Sequence, residues 1–179
     1  AALAAQFTAL KKFGRCMCGI FGIIDLKGRR SVPLSVLKRS ADAMQHRGPD
    51  EDGYLQRPGV GFASRRLSIV GLSDGQQPMF NEDKSVSVVF NGEIYDHDDW
   101  RRDLTAHGHT LKTHCDTEIL PHMWEAHGED MFEKLNGQFA VALFDERKQQ
   151  FILARDRFGI CPLYWTRTTR FGNDWLIFG

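Results

Sequence analysis

The spacing of apolar residues changes period several times along the chain, and each change marks a predicted element. Residues 1–13, AALAAQFTALKKF, put Leu3, Phe7 and Leu10 at helical spacing, with Lys11 and Lys12 near the C-terminal end and Gly14 as a stop. They predict a short amphipathic helix. From Cys18 onward the pattern favours short strands. GIFGIID reads as a buried strand, and PLSVLKRSADAM as a helix with Leu34, Leu37, Ala41 and Met44 on one face. HRGPDEDG has the composition of a loop. GVGFASRRLSIVG and SVSVVFNGEIYD read as strands, the second with alternating hydrophobics before an Asn-Gly turn. HDDWRRDLTAHG and DTEILPHMWEAHGEDMFEKL have helical period, Pro121 marking a boundary or the first turn of a later helix. GQFAVALFDERKQQFILARD predicts a hairpin with a charged turn, and PLYWTRTT and DWLIFG two further strands. Many short strands interleaved with helical segments predict an α+β domain, its antiparallel sheets covered by helices.

Composition narrows the function classes. With 179 residues the chain suits one domain that buries its own core. Its 23 Lys+Arg balance 23 Asp+Glu. The first sixteen residues contain basic groups and no acid, so the remainder is mildly acidic. A nucleic-acid binder would carry a basic excess, so no nucleic-acid partner is expected. No apolar run reaches the ~18–20 residues that span a bilayer, so no membrane association is expected. Four cysteines, Cys16, Cys18, Cys115 and Cys161, are too few and too unevenly spaced for a secreted disulfide framework. A reduced cytoplasmic setting is therefore expected. Residues 1–16 read as a leader, a propeptide or a vector-derived extension; an organellar presequence is a weaker alternative.

Cys18 stands first among the residues that could carry chemistry. Most free cysteines are buried small hydrophobes. A disulfide to Cys16, two residues away, would be badly strained. Met17 changes the weighing, because trimming after a methionine that precedes a small residue would leave Cys18 with a free α-amine. That amine, with an ordinary pKa of about 7.7–8.0, could act as base for its own thiol. HGHTLKTHC offers His107, His109, His114 and Cys115, but its spacing matches no standard zinc signature, and no metal site is expected. Asn91-Gly92 reads as a turn or as paired donors for an oxyanion, with Glu93 an acceptor beside them. One of Arg65 and Arg66 should point inward, because strand neighbours face opposite ways. An inward guanidinium requires a structural or substrate carboxylate. Asp116 reads first as a helix N-cap and alternatively as an ammonium ligand. Arg155, Asp156 and Arg157 read as a structural ion-pair turn.

Seven stretches, MCGIFGI, HRGPD, RLSIV, FNGEIYD, CDTEIL, LNGQFAVALFD and ARDRFGICPLY, occur in the order found in class II glutamine amidotransferase domains. Residues 17–179 resemble in particular the glutaminase domain of glutamine-hydrolysing asparagine synthetase. The resemblance implies a four-layer αββα sandwich of the N-terminal-nucleophile hydrolase type. It implies Cys18 as nucleophile, active once N-terminal, with Asn91 and Gly92 as the oxyanion hole. Arg66 would bind the α-carboxylate of L-glutamine, and Glu93 and Asp116 its α-ammonium. Leu67, Ser68, Ile69 and Val70 would line the substrate.

The implied reaction converts glutamine to glutamate and ammonia through a thioester. In a full-length relative a C-terminal synthetase domain would use the ammonia on aspartate, with ATP and Mg²⁺; a homodimer is left open. The chain departs from that pattern by stopping at WLIFG and holding no Ser-Gly-Gly-type pyrophosphate loop, so no cofactor is expected within it. Two other readings stand beside this one: a non-catalytic or unprocessed module of the same fold, and a glutaminase serving a different acceptor.

Overall fold

The computed structural model describes residues 18–28, 30–67, 74–170 and 172–179. The expected helix over residues 1–13, with Cys16 and Met17, lies outside them. Strand β1 (Gly19–Asp25) leads to helix α1 (Leu34–Ala43), then β2 (Glu51–Arg57), β3 (Val60–Arg66), β4 (Met79–Phe80) and β5 (Val86–Ile94). Helix α2 (His97–Ala106) follows, and then a 3₁₀ turn (Asp116–Glu118), α3 (Ile119–His127) and α4 (Met131–Lys134). The chain closes with β6 (Gly137–Asp145), β7 (Gln150–Arg155), β8 (Trp165–Arg170) and β9 (Asn173–Phe178). One sheet runs β2-β3-β1-β9-β8 and the other β4-β5-β6-β7. Every strand pairing among the described residues is antiparallel.

Side-chain alternation sorts these elements into four layers. On β5, Val86, Val88 and Phe90 pack with Leu104, Ile119, Met123 and Trp124 of the helices. Val89 points the other way, joining Ala140, Ala142 and Phe144 of β6 against Ile20, Phe62 and Phe178 of the first sheet. Beyond that sheet, Leu37 and Ala41 of α1 meet Val32 and Ala63. The order is therefore helix, sheet, sheet, helices, as the αββα expectation requires. No helix among the described residues is long and apolar enough to cross a membrane.

Several expectations are corrected. HRGPDEDG is not all loop: Glu51 begins β2, an edge strand whose polar face carries no apolar alternation to read. Asn91-Gly92 is not a turn. β5 continues through both, pairing Asn91 with Ala140 and Gly92 with Phe139. A Cβ at Gly92 would lie 2.1 Å from the Gln138 carbonyl oxygen, so glycine here permits close strand pairing rather than reversal. Leu34, expected on the buried face of α1, is exposed in its first turn. The Pro121 reading holds, since Pro121 occupies the first turn of α3, where no amide partner is needed.

Asp156 is not held by its flanking arginines. Its carboxylate accepts the backbone amides of Phe139, Phe158, Ile160 and Cys161 at 3.0–3.2 Å. Arg155 donates instead to the Gly159 carbonyl and Arg157 to that of Glu133. Burial would raise the Asp156 pKa, but the amides prevail and hold it below the usual carboxylate range. A carboxyl whose folded pKa is depressed contributes stability above its unfolded pKa and loses it as pH falls through the folded one. Asp156→Asn, which leaves some of these amides unpaired, should cost about 3 kcal/mol in urea unfolding at pH 7. That penalty should begin to shrink below about pH 4, where the carboxyl of the unfolded chain takes up its proton, and disappear only at the lower pH where the folded carboxyl is protonated too.

Candidate active site

β1 begins immediately after Cys18, which is 9% exposed and has φ of 30°. That left-handed value costs a non-glycine residue about 1–3 kcal/mol. Two parts of the HRGPD stretch wrap this end of the sheet. Arg47 donates its Nε to the Cys18 carbonyl at 3.1 Å. Gly48 lies so close to the β3 backbone that a Cβ would sit 2.4 Å from the Arg66 nitrogen. The Cys18 thiol points to the Leu67 carbonyl at 3.9 Å. Burial pushes its pKa up, with the Asp116 charge adding to the rise and the Arg66 and Arg47 charges opposing it.

Arg66 is the inward member of the arginine pair, 4% exposed. Arg65 faces the other way, donating to the Ala41 carbonyl and Asp42 on α1. The inward guanidinium has a structural partner: Arg66 Nη1 donates to Glu51 Oε2 at 2.8 Å across the β2–β3 ladder, where the two residues are directly paired. Sequence reasoning required a carboxylate here but had no local signal for Glu51, fifteen residues earlier.

Cys18, Arg66, Leu67, Gly92, Glu93 and Asp116 line one cavity. Asn91 is not on its wall. As the strand neighbour of Gly92 it faces the adjoining hollow, with Gly19, Met44, Arg47 and Tyr164. Ser68, Ile69 and Val70 lie outside the described residues. Asp116 is no helix cap. It opens the 3₁₀ turn without a capping bond, and its Oδ2 accepts the Ile94 amide of β5 at 3.0 Å. Glu118 fixes the approach to this turn, accepting the amides of Lys112 and Thr113 at 2.7 Å each. The neighbouring Cys115 thiol is pushed up to about 11 by burial and the Asp116 charge, which leaves it neutral and inert.

Gln77 is a site residue that the sequence did not disclose. Its side chain donates to the Phe90 carbonyl at 2.9 Å and accepts the Phe90 amide at 2.7 Å. β4 pairs with β5 only through Met79 and Phe80, so Gln77 continues that ladder with a side chain in place of a backbone. The result fixes β5 just before Asn91 and Gly92. A thiol, a guanidinium and two carboxylates thus surround one small cavity. That set of charges is complementary to the carboxylate and ammonium of an α-amino acid, with the thiol available to an electrophile on its side chain.

Comparison with known proteins agrees with this chemistry. Residues 17–179 match the family of the glutamine amidotransferase domain. The chain belongs to that family. It is 45% identical over 152 residues to asparagine synthetase [glutamine-hydrolyzing] 2 of Bacillus subtilis (strain 168), a match covering 84% of this chain and 20% of the relative. It is 40% identical over 149 residues to a probable asparagine synthetase [glutamine-hydrolyzing] of Dictyostelium discoideum, covering 83% and 27%. The amidotransferase domain therefore spans about a fifth to a quarter of these relatives. Its fold is shared with glutamine phosphoribosylpyrophosphate amidotransferase of B. subtilis, at a TM-score of 0.69 and 18% identity over 89% of this chain and 41% of that one.

Gln77→Ala should lower stability by about 2–3 kcal/mol in urea unfolding, because the buried Phe90 amide and carbonyl both lose their partner. Gln77→Glu keeps only the acceptor and should lose nearly as much, whereas a surface control such as the exposed Gln45→Ala should stay within about 0.5 kcal/mol.

Proposed function

We propose that this chain is a cysteine-dependent glutaminase domain that releases ammonia from L-glutamine. The observation that carries the reading is the convergence of Cys18, Arg66, Glu93 and Asp116 on one cavity. Arg66 takes the substrate α-carboxylate, while Glu93 and Asp116 take its α-ammonium. Leu67, on the cavity wall, lies along the chain of methylenes. The Cys18 sulfur attacks the side-chain amide carbon and the carbonyl becomes an oxyanion; the Gly92 amide on the cavity wall donates to it, and the Asn91 carboxamide joins as second donor by turning from the hollow it faces. Collapse expels ammonia and leaves a thioester. Water then attacks that carbon, releasing glutamate and restoring the thiol.

The base is the α-amine of Cys18, and it exists only when the chain begins at that residue. A Cys18 still joined to Met17 has an amide nitrogen, which accepts no proton near neutral pH. Loss of the preceding residues is therefore part of the mechanism. The ammonia passes to a synthetase domain like the rest of the asparagine synthetase relatives, where aspartate, ATP and Mg²⁺ complete asparagine formation. A reduced cytoplasmic compartment suits a reaction that depends on a free thiol. A glutaminase feeding a different acceptor would share every residue named above.

With the N-terminus trimmed to Cys18 and verified by intact mass, glutamine should yield glutamate. Cys18→Ala should abolish release, and equal rates in the two would sink the proposal. Arg66→Met should raise KM at least 100-fold. The rate should climb with pH through the ordinary α-amine range of about 7.7–8.0, since only the neutral amine accepts the thiol proton.

A further inference from the structure

The histidine-rich stretch between α2 and the 3₁₀ turn does not stay together in the fold. His107 turns back to the Asp103 carbonyl, His114 meets Asp74 at the surface, and Cys115 faces Asp116. His109 alone points toward the body of the domain. There it meets His122 of α3 and Glu82 of the β4–β5 turn, with Glu125 one turn further along α3. One ligand atom from each of these four residues lies within 4.8 Å of every other. His122 is 1% exposed.

We propose that Glu82, His109, His122 and Glu125 form a binding site for a divalent transition-metal ion of the zinc class. The spacing is the first argument. An ion with bonds of about 2.0–2.1 Å to four tetrahedral ligands sets those ligand atoms about 3.3–3.4 Å apart. His109 Nδ1 and His122 Nδ1 are 3.4 Å apart, Glu82 Oε1 is 3.3 Å from His109 Nδ1, and Glu82 Oε2 is 3.2 Å from His122 Nδ1. Donor chemistry is the second argument. Two imidazole nitrogens with carboxylate oxygens suit zinc and its neighbours, whereas Mg²⁺ and Ca²⁺ prefer oxygen throughout. Protonation is the third. Without an ion both Nδ1 atoms need a hydrogen to meet Glu82, and the two hydrogens crowd one space. With an ion, each imidazole presents its Nδ1 lone pair and carries its proton on Nε2.

The His122 imidazole is 1% exposed, so packing holds its ring in place. The Glu82 carboxylate is also oriented in advance, since its Oε1 accepts the Thr110 amide at 2.9 Å. Arg147 pairs with the Glu125 carboxylate from the outer side at 2.5 Å and reaches Asp83 as well. The ion would clip three segments distant in sequence: the β4–β5 turn, the loop after α2 and helix α3. That loop runs directly into Cys115 and Asp116, so the clip would stiffen one wall of the glutamine cavity without touching substrate.

The test uses the whole chain, stripped with EDTA, and Co²⁺ and Zn²⁺ as probes. One equivalent of Co²⁺ should give the intense visible bands of a tetrahedral nitrogen–oxygen site, lost on adding one equivalent of Zn²⁺. Zn²⁺ at 100 times its Kd should raise Tm by about 5–10 °C, and Mg²⁺ at the same concentration should not. His109→Asn, at a partly exposed position, should keep the far-ultraviolet spectrum while weakening Co²⁺ binding at least 30-fold. Glu82→Gln should weaken it at least 10-fold, and His107→Asn with His114→Asn should leave it unchanged. Absence of the visible bands, a thiolate-to-cobalt band reporting binding at a cysteine, or wild-type affinity in His109→Asn or Glu82→Gln would each overturn the proposal. These readouts are independent of glutaminase activity, so failure of either proposal is distinguishable from failure of the other.

Discussion

The unbroken pairing of β5 with β6 is the constraint on which the rest of the molecule depends. Nine residues of each strand pair without a bulge, from Val86↔Asp145 to Ile94↔Gly137. Because side chains alternate, this ladder feeds two cores at once, one under the helices and one between the sheets. It also carries Asn91, Gly92 and Glu93 to the end of the sheet where the cavity opens. Anything that shifted the register by one residue would exchange the two cores and turn Asn91 from one hollow to the other.

Side chains from elsewhere are bonded to that strand rather than merely packed on it. Gln77 grips the Phe90 backbone from one edge, and Asp116 takes the Ile94 amide beyond the site residues. Asp156 holds Phe139, the direct partner of Gly92, together with the loop that follows β7. The cavity wall is thus fixed by carboxylates and an amide acting on backbone groups, which leaves the charged side chains of Arg66 and Glu93 to face inward. Asp116 combines both tasks, since its second oxygen meets only Cys115 and Thr117 among its contacts at 3.4–3.5 Å.

What could be read from the chain alone follows the range of each signal. Alternation in SVSVVF and the apolar run of GQFAVALF are local, strong signals, and both strands form as expected. The rule that adjacent strand residues face opposite ways required one of Arg65 and Arg66 to point inward, and the fold selects Arg66. Edge strand β2 left no such trace, because its two buried positions are Gly53 and Leu55, and a glycine carries no apolar signal. Asn-Gly gave a turn signal that pairing overruled, since a strand of nine residues outweighs a dipeptide preference. Glu51, Gln77 and Arg47 act through contacts 15, 13 and 29 residues away, and no local spacing announces such partners. The histidine cluster shows the same limit from the other side. Four neighbours in sequence disperse, and one of them joins residues that no motif had linked to it.

The burial of Cys18 has a consequence for the lifetime of the protein as well as for its reaction. Oxidants and alkylating agents attack thiolates, and susceptibility follows thiolate character together with access. A thiol held neutral under the Leu67 carbonyl, with little of its surface in water, is a poor target for both. Peroxide therefore spares the Cys18 sulfur for as long as no base removes its proton.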